Sequence, residues 1–143
     1  MKAYTSLEQS KKLAEILPHF TADGTYERIV ITGCNLDMQE EQLYVHRDIA
    51  FTFFSGIGIP CWSIGALSDE LPADITKDEH KYCIKYEKFH HKEEGWTKHV
   101  VGYYDSNNKE DNKPLIFFEN ANFIDALYDM VLWYYENKNN LCV

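Results

Sequence analysis

The sequence predicts an α+β fold: a single domain in which an antiparallel β-sheet carries N-terminal, short central and C-terminal helices, packed mainly on one face. Two patterns lead to this class. Segments rich in β-branched and aromatic residues, bounded by turn-forming residues, are typical of strands. Other segments repeat apolar residues at helical spacing. The length of 143 residues suits one domain spanning 1–143, with a single hydrophobic core.

The predicted strands share β-branched or aromatic composition and cover residues 25–32, 43–54, 80–89, 96–104 and 115–119. In 80–89 apolar and charged residues alternate, as expected when one side of a strand is buried. The stretch KEEG then provides a turn into 96–104. These two segments therefore form a predicted β-hairpin.

The first two helices are predicted from their start and stop signals. Thr5 and Glu8 have the spacing of a capping box, which opens a helix over about 6–17. Ser63 can cap a short central helix, which ends before Pro72. Each of these helices has one apolar side, so each is expected to pack on the sheet.

The last helix is predicted to run from Asn122 to about Lys138 and is apolar over most of its circumference. One stripe is expected to face the sheet, formed by Phe123, Leu127, Met130, Val131 and Tyr134. Trp133 is predicted to be structural. The neighbouring apolar side is covered within the chain or binds a partner. The candidate partner-binding residues are Tyr128, Leu132 and Tyr135, with Asp125 and Asp129 at their acidic margin.

Charge and composition exclude several function classes. The net charge is −9, and Lys and Arg are not clustered, so binding to nucleic acid or to an anionic membrane is not expected. The N-terminus lacks the apolar core of a signal peptide, and the longest apolar run is too short to span a bilayer. The cysteines form no CxxC pair, so neither a zinc site nor a redox dithiol is suggested. Because no export signal is recognised, we expect reduced thiols in the cytoplasm: Cys34, Cys61, Cys83 and Cys142.

The stretch IPCWSIGALSDELP raises the question of catalysis, because it resembles the G-x-S-x-G turn of serine hydrolases. Cys61 replaces the first glycine, and the chain is too short for that hydrolase fold. Cys61 precedes a helix start, where a thiol can become reactive if His46 or His99 serves as a base. The favoured interpretation is structural, with Cys61 buried beside Trp62 and Ser63 acting as a helix cap.

The histidines raise the question of a metal site. His90 and His91 are adjacent in a predicted strand, so their side chains point to opposite faces and cannot hold one ion in a regular strand. His99 lies in the next strand. The three residues lack a metal-ligand spacing, and no metal or other cofactor is expected.

Three blocks carry a resemblance to a known family: YTSLEQSKKLAEIL, PCWSIGALSDELP and FIDALYDMVLWYYENK. They resemble a family of small uncharacterised proteins from gut bacteria and their mobile elements. The resemblance implies a small intracellular, phage-associated accessory protein and carries no activity. The order of the last strands and helix is also similar to HicB-type antitoxins, although Glu119 and Asn120 stand where those usually have a glycine.

We therefore expect a non-catalytic intracellular protein-interaction or regulatory module, which binds a partner protein or forms a homo-oligomer. Its support is the lack of a recognisable catalytic or metal-binding motif, together with the aromatic-rich and largely apolar last helix. Two alternatives stay open. One is a thiol-dependent enzyme centred on Cys61, and the other is an antitoxin-like acidic partner of a basic protein.

Overall fold

The computed structural model describes residues 2–32, 39–46, 58–107 and 113–143. It confirms the α+β class, with antiparallel sheets and α-helices in the described residues. The helices are α1 (Leu7–Ile16), α2 (Ile64–Asp69) and α3 (Phe123–Asn137). The strands are β1 (Gly24–Thr32), β2 (Gln39–His46), β3 (Ile59–Cys61), β4 (Asp74–Lys77), β5 (His80–His91), β6 (Trp96–Asp105) and β7 (Pro114–Asn120).

The chain divides into two compact units, which are described separately. The N-terminal unit is Tyr4–Ala66, and the C-terminal unit comprises Leu67–Val143 together with Met1–Ala3. Each unit has its own antiparallel sheet, where the sequence predicted one sheet. The expectation of a single domain over 1–143 stays a prediction.

The N-terminal unit has a three-stranded sheet in the order β2-β1-β3. β1 agrees with the predicted strand 25–32, whereas β2 begins at Gln39, in a stretch whose polar residues do not suggest a strand. β2 is paired on one side by β1 and lies at the edge of the described sheet, where polar residues are tolerated. The remainder of the predicted strand 43–54, from residue 47 onward, lies outside the described residues.

The start of α1 corrects the sequence prediction by one residue. Ser6, not Thr5, caps the helix, and a capping box joins Ser6 to Gln9. Thr5 is fully buried, and its backbone N–H and its hydroxyl form hydrogen bonds to other residues. Its N–H donates to the carbonyl of Trp62 at 2.9 Å, and its hydroxyl oxygen lies 2.7 Å from the hydroxyl of Ser10. Because these bonds attach the segment before α1 to the residue after β3, Thr5 is not free to cap.

Trp62 lies in the core of the N-terminal unit, with 0% of its surface exposed. Its indole Nε1–H donates to Thr21 Oγ1 at 2.9 Å, and its backbone N–H donates to Thr5 Oγ1 at 3.2 Å. Both polar groups are thus satisfied, so the ring is buried without the cost of an unpaired donor.

The C-terminal unit has a four-stranded antiparallel sheet in the order β4-β5-β6-β7. The predicted hairpin is present as β5 and β6, whose pairing runs from Tyr82↔Asp105 to His91↔Trp96. The turn after β5 ends at Gly95, whose φ of 69° lies in the left-handed region that glycine adopts without strain. β7 extends the predicted strand 115–119 by a residue at each end.

β4 was not predicted, and its connection to β5 explains why. The two strands are joined by a two-residue turn, Asp78 and Glu79, with Lys77 paired to His80. Both turn residues have positive φ, 50° and 68°, a conformation for which hairpins usually select Asn-Gly or Asp-Gly. Without the glycine the sequence carries no hairpin signal, although the backbone makes the turn.

α3 packs against β6 and β7. Its buried residues are Ile124, Ala126, Leu127, Met130 and Val131. Three of the residues predicted to face the sheet are among them, whereas Phe123 and Tyr134 are half-buried. Phe123 stacks on His99 with ring centroids 5.4 Å apart, and Trp133 contacts the ring of Tyr103 at 6.2 Å. These contacts identify the side of β6 that α3 covers.

Replacing Trp62 by alanine should lower the free energy of unfolding by about 3–5 kcal/mol, because it removes a large buried ring. Trp96→Ala is the matched control, since 41% of that residue is exposed. It should cost less than about 1 kcal/mol. Urea unfolding followed by circular dichroism measures both, and equal losses would contradict the burial of Trp62.

Replacing Glu79 by glycine should raise the free energy of unfolding by about 0.5–1 kcal/mol, because it relieves a left-handed backbone that costs more than the added chain entropy of glycine. Glu93→Gly, in the turn between β5 and β6, is the control and should bring no gain, since only Gly95 has a positive φ there. Thermal unfolding monitors both variants. A lower midpoint for Glu79→Gly would contradict the turn conformation.

Candidate functional site

Cys61 was the candidate nucleophile, and the structure places it at the end of β3 with 0% of its surface exposed. Burial, and secondly the charge of Asp23, raise the pKa of its thiol to about 12. The thiolate is the nucleophilic form of cysteine, so a thiol held protonated is inert. Of the two bases considered, His46 has a side chain outside the described part of the structure, and His99 stacks on Phe123.

Ser63 acts as a helix cap and is held by Asp23. Its hydroxyl oxygen accepts a hydrogen bond from the N–H of Ala66 at 3.3 Å, within the first turn of α2. The same hydroxyl donates to Asp23, and the backbone N–H of Ser63 donates to Asp23 Oδ1 at 2.7 Å. The hydroxyl therefore has a structural partner on each side.

The three histidines considered as metal ligands each contact a different neighbouring side chain. His90 Nδ1 lies 2.9 Å from the hydroxyl of Thr97, and His91 stacks on Trp96 with ring centroids 5.4 Å apart. His99 stacks on Phe123 at the start of α3. Within residues 2–32, 39–46, 58–107 and 113–143, no group of three or more His, Cys, Asp or Glu residues is arranged to hold a metal ion.

The predicted partner-binding side of α3 is half-buried rather than open. Five residues share this intermediate exposure: Tyr128, Leu132, Tyr135, Asp125 and Asp129. The hydroxyl of Tyr135 donates to Glu70 Oε2 at 2.7 Å, and Lys138 Nζ lies 4.4 Å from the centre of the Tyr135 ring. Lys2 pairs with Asp125 at 3.2 Å. These contacts within the C-terminal unit occupy much of the polar margin.

The pKa values of Tyr135 and Tyr128 are both raised by the partial burial of this side of α3. Burial, followed by the hydrogen bond to Glu70, raises the pKa of the Tyr135 hydroxyl. Burial, followed by the charge of Asp129, raises the pKa of Tyr128. Both hydroxyls stay protonated at neutral pH, and Tyr135 acts as a hydrogen-bond donor within its own unit.

A more exposed apolar surface lies on the opposite side of the sheet in the C-terminal unit. We call it the outer face. Residues alternate between the faces of a strand, so the outer face of β6 carries Trp96, Lys98, Val100 and Tyr104, whereas Val101 and Tyr103 point to α3. Cross-strand pairing adds residues from β5 and β7 to this face: Glu87, Phe89, Phe117 and Glu119.

The outer face contains a depression of about 390 Å³. Its lining is mainly apolar, from Phe89, Trp96, Val100, Tyr104, Pro114 and Phe117. Among the described residues, the charged ones in its lining are Glu87, Lys98 and Glu119. Phe89 and Phe117 are each 47% exposed and Trp96 is 41% exposed, which is unusual for three large rings on one sheet face.

Gly102 leaves room for the ring of Tyr104, which lines this depression. A Cβ atom at this position would lie 2.6 Å from Cε2 of Tyr104 and 3.1 Å from the carbonyl oxygen of Ile116. The Tyr104 ring therefore lies close over the backbone of β6, and a side chain at position 102 would have to displace it. Burial, followed by the charge of Glu87, raises the pKa of Tyr104.

The outer face was missed at the sequence level, although β6 contains a signal for it. A strand with one covered face should alternate apolar and polar residues, yet Val100 and Val101 are adjacent, and Trp96 and Tyr104 share a side with Val100. Apolar residues on both sides of a strand indicate either a second covering layer or a binding surface.

Comparison with known proteins gives no family for this chain. No family model matches it, and neither the curated proteins nor the solved structures contain a significant match. The resemblance to a gut-bacterial, mobile-element family therefore stays a prediction. Among the helices of the described residues, none has the length and apolar character needed to cross a bilayer.

Alkylation with iodoacetamide at about pH 8 should modify Cys142 rapidly, Cys83 more slowly and Cys61 only after unfolding. Cys142 is exposed and Cys83 is half-buried, whereas Cys61 is buried with a raised pKa. Peptide mapping by mass spectrometry at successive times resolves the three sites. If folded Cys61 reacted as fast as Cys142, the structural assignment of this thiol would be wrong.

Proposed function

We propose that this chain is a non-catalytic protein-interaction module that binds a partner through the outer face of the sheet in its C-terminal unit. The observation that carries the proposal is the exposure of Phe89, Trp96 and Phe117 on one face. Aromatic side chains are enriched at the centres of protein interfaces, where a few of them supply most of the binding energy.

The chemistry of the outer face favours a protein over other ligands. Single-stranded nucleic acids also stack on aromatic rings, but they require a positively charged groove. In the part of the chain that the structure describes, the depression is lined by one lysine and two glutamates, and the whole chain has a net charge of −9. The excess of negative charge, both in the depression and in the whole chain, repels a phosphate backbone. A partner protein that offers apolar and basic groups suits this surface better.

A thiol enzyme centred on Cys61 gains no support, because the thiol is buried and protonated. An antitoxin-like acidic partner belongs to the same class of function as our proposal, and no contact in the described residues favours it in particular. We also propose a cytoplasmic location: among the described residues Cys61, Cys83 and Cys142 are free thiols, and free thiols persist in a reducing compartment.

Selection of a displayed library of random peptides on the folded protein tests the proposal. The selected peptides should bind Phe117→Ala at least about tenfold more weakly than the native protein, because a central aromatic contact is lost. Trp96→Ala should have a similar effect. Phe20→Ala is the matched control, since Phe20 is 69% exposed but belongs to the N-terminal unit. Its affinity should be unchanged.

Isothermal titration calorimetry measures each affinity, and circular dichroism checks that every variant is folded. Peptides that bind Phe117→Ala and Trp96→Ala as tightly as the native protein would place the binding surface elsewhere. A selection that enriches no peptide would also contradict the proposal.

A further inference from the structure

The proposed function leaves open which chemical group of the partner the outer face recognises. Resting on that function, we propose that Glu87 is the anchor for an arginine of the partner, whose guanidinium pairs with the Glu87 carboxylate and stacks on the neighbouring aromatic rings. The proposal depends on the charge balance of the outer face, which follows from the strand register.

Two glutamates lie on either side of β6 on this face. Glu87 of β5 and Glu119 of β7 are both paired with Val100 of β6. Lys98 precedes Val100 by two residues on the same side of β6, diagonal to both carboxylates. It forms its ion pair with Glu119. The ammonium group of Lys98 thus neutralises Glu119 and leaves Glu87 without an ion pair among the described residues.

The second lysine of this face is also engaged. Lys85 precedes Glu87 by two residues on β5, and its Nζ lies 5.4 Å from the centre of the Tyr104 ring. This contact is a cation–π interaction, so the outer face already holds one cation against an aromatic ring. Within the described ranges, the Glu87 carboxylate has no ion pair and no hydrogen bond.

The surroundings of Glu87 suit a guanidinium group. Phe89, two residues further along β5 on the same face, is 47% exposed. Arginine can bind a carboxylate with its planar fork of donors while it stacks on an aromatic ring. A lysine ammonium would match the charge but not the planar stacking. One surface of the Trp96 ring is taken by His91, and its Nε1–H donates to Glu94 at 2.6 Å, so this indole contributes its ring rather than its donor.

Charge distinguishes a basic partner from a second copy of this chain. Two copies would bring together two proteins of net charge −9. Among the described residues of the outer face, Lys85 lies over Tyr104, Lys98 pairs with Glu119 and Lys81 pairs with Asp74. A second outer face would therefore bring another Glu87, and none of these lysines is free to pair with it. A partner that supplies arginine neutralises Glu87 and adds favourable long-range attraction.

A double-mutant cycle with the peptides from the library selection tests the proposal. The enriched peptides should contain arginine, and replacing it by citrulline removes the charge at nearly constant shape. On the native protein this replacement should weaken binding about tenfold, whereas on Glu87→Gln it should weaken binding less than about twofold. Glu93→Gln is the matched control, because Glu93 is exposed in the turn after β5 and does not line the depression.

The outcomes separate this inference from the proposed function. Enriched peptides without arginine, or an equal effect of citrulline on the native protein and Glu87→Gln, would overturn the role of Glu87. If those peptides still lost affinity for Phe117→Ala, the outer face would keep its function with a different anchor. Sedimentation tests whether a second copy of the chain occupies the outer face instead. If the protein dimerised, and Glu87→Gln strengthened the dimer, the occupant would be another copy and the inference would be overturned.

Discussion

The antiparallel register of β5 and β6 is the constraint on which the surfaces of the C-terminal unit depend. Successive residues of a strand point to opposite faces, so this register decides which side chains enter the core. Val101 and Tyr103 point to α3 and are fully buried, whereas Trp96 and Phe89 lie on the outer face and are exposed. A slip of one residue would exchange the two sets, and burial of Tyr103 and Val101 therefore also holds the aromatic outer face in place.

The outer face combines exposed rings with charged side chains, most of which contact a neighbour on the same face. Lys98 pairs with Glu119, and Lys85 lies over Tyr104, so each lysine is attached to a neighbour on the same face. These contacts are individually weak at an exposed surface, but they limit the positions of long side chains around the depression. The side chains therefore lose less conformational entropy when a partner binds. Glu87 makes no ion pair among the described residues, and it is the charge that we propose to pair with an arginine of the partner.

The stretch from Cys61 to Ser63 shows how residue types that suggest chemistry can have a structural role. A cysteine before a helix and a serine in a near-hydrolase motif are both reactive only in a suitable environment. Here burial keeps the thiol protonated, and Asp23 and the first turn of α2 occupy the hydroxyl. Trp62 between them bonds to Thr5 and Thr21. The segment attaches the start of the chain to β3 and begins α2.

The sequence by itself determined the α+β class, the β5–β6 hairpin and the approximate limits of α1 and α3, because helical and strand periodicities arise from local backbone geometry. It did not reveal β3 or β4, which at three and four residues are too short to show a period. Tertiary structure alone decided that Ser6 caps α1, that α3 covers the side of β6 carrying Tyr103, and that Lys98 pairs with Glu119 instead of Glu87. For α1, residues 5–8 and 6–9 both have capping-box spacing, and the contact of Thr5 with Trp62 leaves the cap to Ser6. The other two choices depend on residues brought together from distant positions, where no local pattern encodes which neighbour a side chain meets.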